Sequence, residues 1–122
     1  MKPVTVLVAD DDPAIRDGLV AILETQADLL PIGEASDGLQ AVQMTRTLHP
    51  DVVLMDVGMP GVDGIEATRR IKEESPETRV IVLTVYPIHL SEAFAAGASR
   101  YLLKDSSTKE LMQAIRDRSC RP

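Results

Sequence analysis

The sequence contains no tryptophan, one phenylalanine and two tyrosines. That scarcity excludes an aromatic platform on which single-stranded nucleic acid could stack. Its one cysteine, Cys120, has no partner within the chain, so no internal disulfide can form, which fits a reducing compartment. No stretch approaches the ~20 apolar residues of a membrane span. The first apolar run is short and ends in aspartates, unlike the apolar region of a secretory leader. Positive charge is scarce too: 13 Lys and Arg against 19 Asp and Glu give a net charge of −6. There is then no general basic surface for nucleic acid, although a local patch at Arg69, Arg70 and Lys72 stays open. These absences predict a cytoplasmic protein.

What is present is an alternation. At 122 residues the chain is long enough for one domain with its own core. Short apolar runs at Val4–Ala9, Val52–Met55 and Val80–Thr84 read as buried strands, with weaker candidates at Leu30–Ala35 and Ser99–Leu103. Between them lie stripes at helical spacing: Ile15, Leu19, Ile22 and Leu23; Ala41, Val42, Thr45 and Leu48; Ile65, Thr68 and Ile71; Leu111, Met112 and Ile115. Segment Ser91–Ala96 predicts a short helix stopped by Gly97. Five strands alternating with five helices imply right-handed βαβ units, hence a single doubly wound α/β domain with a parallel sheet covered on both faces. The expected domain is 1–118, followed by a polar tail, 119–122, at the start of a linker.

The most informative feature is the aspartate triplet Asp10, Asp11 and Asp12 at the end of the first strand. Like charges packed there cost folding energy unless a positive group is held. In an open parallel sheet, ligands sit beyond the carboxyl ends of the strands. Asp56 ends the third strand, Thr84 the fourth, and Lys104 follows the fifth, so a doubly wound order gathers three acids, a hydroxyl and a lysine around one crevice. A hard cation explains the acids: Mg²⁺, for which Mn²⁺ could substitute, prefers oxygen ligands at about 2.0–2.1 Å. A phosphoryl group explains the rest, with Lys104 neutralising one oxygen, Thr84 hydrogen-bonding another and Asp56 as the nucleophile, since carboxylates form aspartyl phosphates.

Together these residues resemble a family. Asp10-Asp11, the stretch Met55-Asp56-Val57-Gly58-Met59-Pro60-Gly61-Val62-Asp63-Gly64, Thr84, Ala96-Gly97-Ala98 and Leu103-Lys104-Asp105 are similar to the receiver domain of a two-component response regulator, from about Thr5 to about Ile115. The wording around Asp10-Asp11 and Tyr101–Asp105 resembles the NarL/LuxR-type subfamily, which carries a C-terminal helix-turn-helix. The resemblance implies a flavodoxin-like strand order, 2-1-3-4-5. It implies that Asp56 accepts phosphate from a sensor histidine kinase, that Asp11 binds Mg²⁺ directly and Asp10 mainly through water, and that the Gly58 carbonyl is the backbone ligand. It also implies that Thr84 and Tyr101 form a switch and that a DNA-binding domain follows. Homodimerisation on phosphorylation is a further expectation. No turnover enzyme is implied, only self-catalysed transfer to Asp56 and slow autodephosphorylation. The segment between Thr84 and Gly97 is about two residues shorter than usual in the family and carries Pro87, so a fourth helix that is short, displaced or partly unfolded is expected. Val85 is bulkier than the usual small residue, and Asp105 stands where many receivers have proline.

Other readings compete. Acids at a helix N-terminus favour its dipole, and Asp12, before Pro13, suits an N-cap. His49 and His89 read as surface residues, and the methionines as packing or loop residues. A stand-alone receiver acting as a phosphate shuttle or protein-binding module is the alternative function. A haloacid-dehalogenase-like phosphatase needs a second acid two residues after the nucleophile, where this chain has Gly58. A flavodoxin-like flavin carrier must cradle a phosphate in its first loop, which Asp10–Asp12 would repel.

Overall fold

In the computed structural model, residues 2–59, 61–85 and 90–117 are described. They form β1 (Val4–Ala9), α1 (Pro13–Glu24), β2 (Leu29–Ala35), α2 (Gly38–Leu48), β3 (Val52–Asp56), α3 (Gly64–Glu74), β4 (Arg79–Thr84), α4 (Leu90–Ala95), β5 (Arg100–Leu103) and α5 (Thr108–Arg116). All strand pairs are parallel and the order is β2-β1-β3-β4-β5, the expected topology.

The three strands with the strongest apolar signal are the three central ones. Every residue of β3 and β4 is buried, as are the last four of β1, because helices cover both faces. The two weaker candidates are the edges. All four residues of β5 are half-buried, and β2 mixes buried and exposed positions. Pro31 lies in β2, where an edge strand can spare a ladder donor, and the register with β1 slips beside it, from Val6–Pro31 to Leu7–Gly33.

The core is double. On one face Leu7, Val53, Met55, Val80 and Val82 meet Ala41 and Val42 of α2, Ala67 and Ile71 of α3, and Ala93 of α4. On the other, Val6, Val8, Val52, Leu54 and Ile81 meet Leu23 of α1 and Leu111, Met112 and Ile115 of α5. The predicted stripes hold with two corrections. Ile15 is 37% exposed and Leu48 is 39% exposed, each near an end of its helix: Ile15 borders an open apolar hollow with Leu19, Leu83 and Leu111, and Leu48 lies over Gly33 of the edge strand β2. Among the described residues the fourth helix is α4, Leu90–Ala95, against the expected Ser91–Ala96. Gly97 then takes φ +107, a conformation open to glycine. Pro60, Tyr86, Pro87, Ile88, His89 and the tail with Cys120 lie outside the described residues.

Two caps fix the helices beside the crevice. Asp12 is the N-cap of α1, its side chain accepting from the Ala14 N–H at 2.9 Å, with Pro13 in the first turn. Ser107 and Glu110 form a reciprocal capping box on α5. His49 is an exposed residue, as expected, and its φ of 50 makes it the left-handed C-cap of α2.

Candidate phosphoacceptor site

Strand register gathers the site. Ala9 pairs with Met55, Asp56 with Leu83 and Thr84 with Leu103. Asp10, Asp56, Thr84 and Lys104 therefore emerge at one edge of the sheet. The Lys104 N–H donates to the Thr84 carbonyl at 2.7 Å, carrying the alignment one residue past β5.

The centre of the site is an ion pair with three members. Lys104 Nζ lies 2.9 Å from Asp10 Oδ2 and 3.0 Å from Asp56 Oδ1. Asp10 is 1% exposed and Asp56 6% exposed, so both carboxylates depend on neighbours rather than on water. Asp10 Oδ1 also accepts the Asp12 N–H at 2.9 Å, and Asp56 Oδ1 the Gly58 N–H at 3.4 Å. Burial pushes the Asp56 carboxyl above its ordinary value of 3.8; the Lys104 hydrogen bond pulls the other way, but the charge of Asp10 adds to the rise and the net direction is upward. Burial also opposes the charged form of Lys104, yet its hydrogen bonds to Asp10 and Asp56 more than offset this, and the ammonium titrates above its ordinary 10.5.

Asp11 is exposed and completes the acidic set. One carboxylate oxygen from each of Asp10, Asp11 and Asp56 lies within 4.8 Å of the other two. Three hard, anionic oxygen donors converging at a partly open point suit a divalent cation that retains waters. The donor chemistry thus fits Mg²⁺, with a zinc-type site disfavoured by the lack of nitrogen or sulfur ligands in the cluster.

Glycine makes the approach to Asp56 possible. A Cβ on Gly64 would sit 2.0 Å from the Asp56 carbonyl oxygen, so α3 can start against β3 only because residue 64 has no side chain. A Cβ on Gly58, in contrast, would meet nothing within 4 Å. Thr84 is buried, at 7% exposure, and shares a side-chain hydrogen bond with Tyr101. The Tyr101 ring also packs at 6.5 Å and a 44° tilt from Phe94 of α4. Burial raises the Tyr101 phenol above its ordinary 10.0, the bond to Thr84 works against that, and the charge of Glu92 on α4 adds to it.

Every residue the sequence singled out is accordingly at this edge: Asp10, Asp11, Asp56 and Lys104 in one cluster, Gly58 on the loop after Asp56, and Thr84 joined to Tyr101 beside them. One neighbour went unrecognised. Arg16 of α1 donates from Nη1 to the Asp10 carbonyl at 2.8 Å and from Nε to Glu34 Oε1 at 3.1 Å. Its sequence signal is a cation at the fourth position of a helix, where the dipole disfavours positive charge.

A doubly wound parallel sheet with a lysine bridging two buried acids at the ends of its strands defines the class of domain. Comparison with known proteins specifies it. Residues 6–116 match the response regulator receiver domain family, and the chain belongs to that family. It is 47% identical over 120 residues to the transcriptional regulatory protein LiaR of Bacillus subtilis, covering 93% of this chain and 54% of LiaR. It is 34% identical over 116 residues to the nitrate/nitrite response regulator protein NarL of Escherichia coli, again covering 93% and 54%. A solved LuxR-family two-component response regulator from Aurantimonas superposes with a TM-score of 0.88 at 35% identity, over 93% of this chain and 83% of that one. The NarL/LuxR-type resemblance is thus borne out. The chain spans about half the length of the curated relatives it matches. Among the described residues no helix is long and apolar enough to cross a membrane.

Proposed function

We propose that this chain is the phosphorylation-dependent switch of a two-component system: Asp56 accepts a phosphoryl group from a sensor histidine kinase and thereby controls a DNA-binding effector in the parent protein. The observation that carries the reading is Lys104 held between Asp10 and Asp56 at the mouth of the crevice. Transcriptional regulatory proteins among the relatives, each about twice the matched length, support the effector half.

In this reading an Asp56 carboxylate oxygen attacks the donor phosphorus. The new O–P bond forms as the N–P bond to the kinase histidine breaks, and the departing imidazole nitrogen keeps the electron pair. Asp10, Asp11, Asp56 and the Gly58 carbonyl would hold Mg²⁺. When bound, the ion supplies positive charge between the carboxylate and the incoming phosphoryl oxygens. Lys104 exchanges one of its carboxylates for a phosphoryl oxygen. Thr84 exchanges its bond to Tyr101 for another, and Tyr101 reports the change to α4 and β5. The chain turns over no separate substrate; it catalyses its own modification and its slow hydrolysis. Homodimerisation on phosphorylation follows as part of the same proposal. Sedimentation with and without beryllofluoride checks that part, and a chain that stays monomeric with the mimic bound rejects it.

The test of the central reaction is intact mass after incubation with acetyl phosphate and Mg²⁺. The wild type should gain one phosphoryl group and Asp56→Asn none. No gain under conditions that modify a control receiver overturns the proposal, and a gain that survives Asp56→Asn moves the acceptor elsewhere.

A further inference from the structure

We propose that Arg16 is a positioning residue for the cation site: with Glu34 it fixes the Asp10 carbonyl, and through that carbonyl the direction in which Asp11 presents its carboxylate. The proposal rests on the cation site described above and deepens it by naming a residue outside the ligand set.

The backbone between Asp10 and Asp12 is held from three directions. The Asp10 N–H donates to the Ala35 carbonyl of β2 at 3.0 Å, and the Asp12 N–H donates to Asp10 Oδ1 at 2.9 Å. The Asp10 carbonyl lies past the end of β1, and Arg16 Nη1 reaches it at 2.8 Å. Since a peptide unit is planar, fixing that carbonyl also fixes the plane that leads into Asp11. The guanidinium is aimed by Glu34, 3.1 Å away on the edge strand, and its side chain is 18% exposed against 41% for Glu34. A planar fork with several donors can span a carbonyl and a carboxylate in this way; an ammonium on a flexible stem cannot hold the same geometry.

Charge and position predict opposite signs. A guanidinium beside a cation site repels the cation, so removing the charge alone would tighten binding. If Arg16 acts by position, its removal weakens binding instead. The cost falls near the lower end of the 10–100-fold typical of groups that orient metal ligands.

The test is Mn²⁺ binding to the 122-residue chain, followed by the paramagnetic resonance of free Mn²⁺, with Mg²⁺ affinity obtained by competition. Arg16→Met should weaken both by about tenfold, and Arg16→Lys by less although the charge is kept. Glu34→Gln should weaken binding about threefold in the wild type and add nothing in the Arg16→Met background, since it acts through Arg16. Unchanged or tighter binding in a folded Arg16→Met variant overturns the proposal, as does a full independent effect of Glu34→Gln in that background. Should Arg16→Met fail to fold, unchanged affinity in both Arg16→Lys and Glu34→Gln overturns it equally. Failure of the underlying reading looks different: the wild type binds no Mn²⁺, or Asp11→Asn binds as well as wild type, and the proposal falls with it.

Discussion

Lys104 Nζ lies 3.0 Å from Asp56 Oδ1 while the same nitrogen holds Asp10 at 2.9 Å, so one cation serves two buried carboxylates. Neither carboxylate can change partners without affecting the other. That coupling makes the crevice responsive to a new charge.

Replacing Lys104 with methionine exposes the coupling. Removing one member of a buried ion pair costs about 3–5 kcal/mol; with Lys104 17% exposed, a loss of roughly 1–3 kcal/mol is expected. Added Mg²⁺ should restore part of it, because the acids then regain a positive neighbour. Urea denaturation with and without Mg²⁺ measures both effects, and an Mg²⁺-insensitive loss counts against the shared-cation account.

Asp56 should make the protein less stable as it ionises. Its folded-state value is raised above 3.8, so the folded protein holds this proton more tightly than the unfolded chain does. The stabilisation is fully present below 3.8 and is lost as the pH rises through the folded-state value. In metal-free buffer Asp56→Asn should therefore melt above wild type at neutral pH, and the gap should close as the pH falls toward 3.8. Melting curves that run parallel across this range would reject the assignment.

The two glycines Gly58 and Gly64, which follow Asp56, should separate cleanly. Gly64→Ala drives a Cβ into the Asp56 carbonyl, and overpacking of this kind costs about 1–3 kcal/mol or more. It should also slow phosphorylation by displacing Asp56. Gly58→Ala meets open space and should stay within about 0.5 kcal/mol of wild type. Denaturant midpoints and acetyl phosphate labelling rates decide the comparison.

The aspartate triplet should divide between folding and binding. Asp12→Ala removes the α1 cap, at a cost of about 0.5–2 kcal/mol, while Mn²⁺ affinity changes little. Asp11→Ala should do the reverse, leaving stability near wild type and abolishing measurable binding. Equal losses of affinity in the two variants would show that the division is wrong.

Tyr101→Phe deletes the bond to Thr84 and should cost about 0.5–1.5 kcal/mol. Phosphorylation by a small donor should be unchanged or faster, because the Thr84 hydroxyl then need not break that bond to meet a phosphoryl oxygen. Slower labelling in a variant of near wild-type stability would assign the phenol a direct role in the transfer.

Much of this architecture was legible in one dimension. Val52–Met55 and Val80–Thr84 announced central strands because burial on both faces demands uninterrupted apolar residues. Leu30–Ala35 and Ser99–Leu103 read weakly because edge strands are half covered, and the slip at Pro31 left no periodic trace. Ile15 and Leu48 broke their stripes since periodicity describes a helix face without saying how fully its neighbours cover each end.

The sequence by itself determined the kinds of group at the site and their placement at strand ends: acids at 10, 11 and 56, a hydroxyl at 84, a lysine at 104. These are local facts, set by which residue follows which apolar run. Only the tertiary structure decided the pairings. That Lys104 divides itself between Asp10 and Asp56, that Thr84 bonds Tyr101 and that Glu34 of β2 aims Arg16 all depend on the order and register of the strands. Hydrogen bonds form over about 3 Å, and no spacing along the chain encodes a distance that short between residues so far apart.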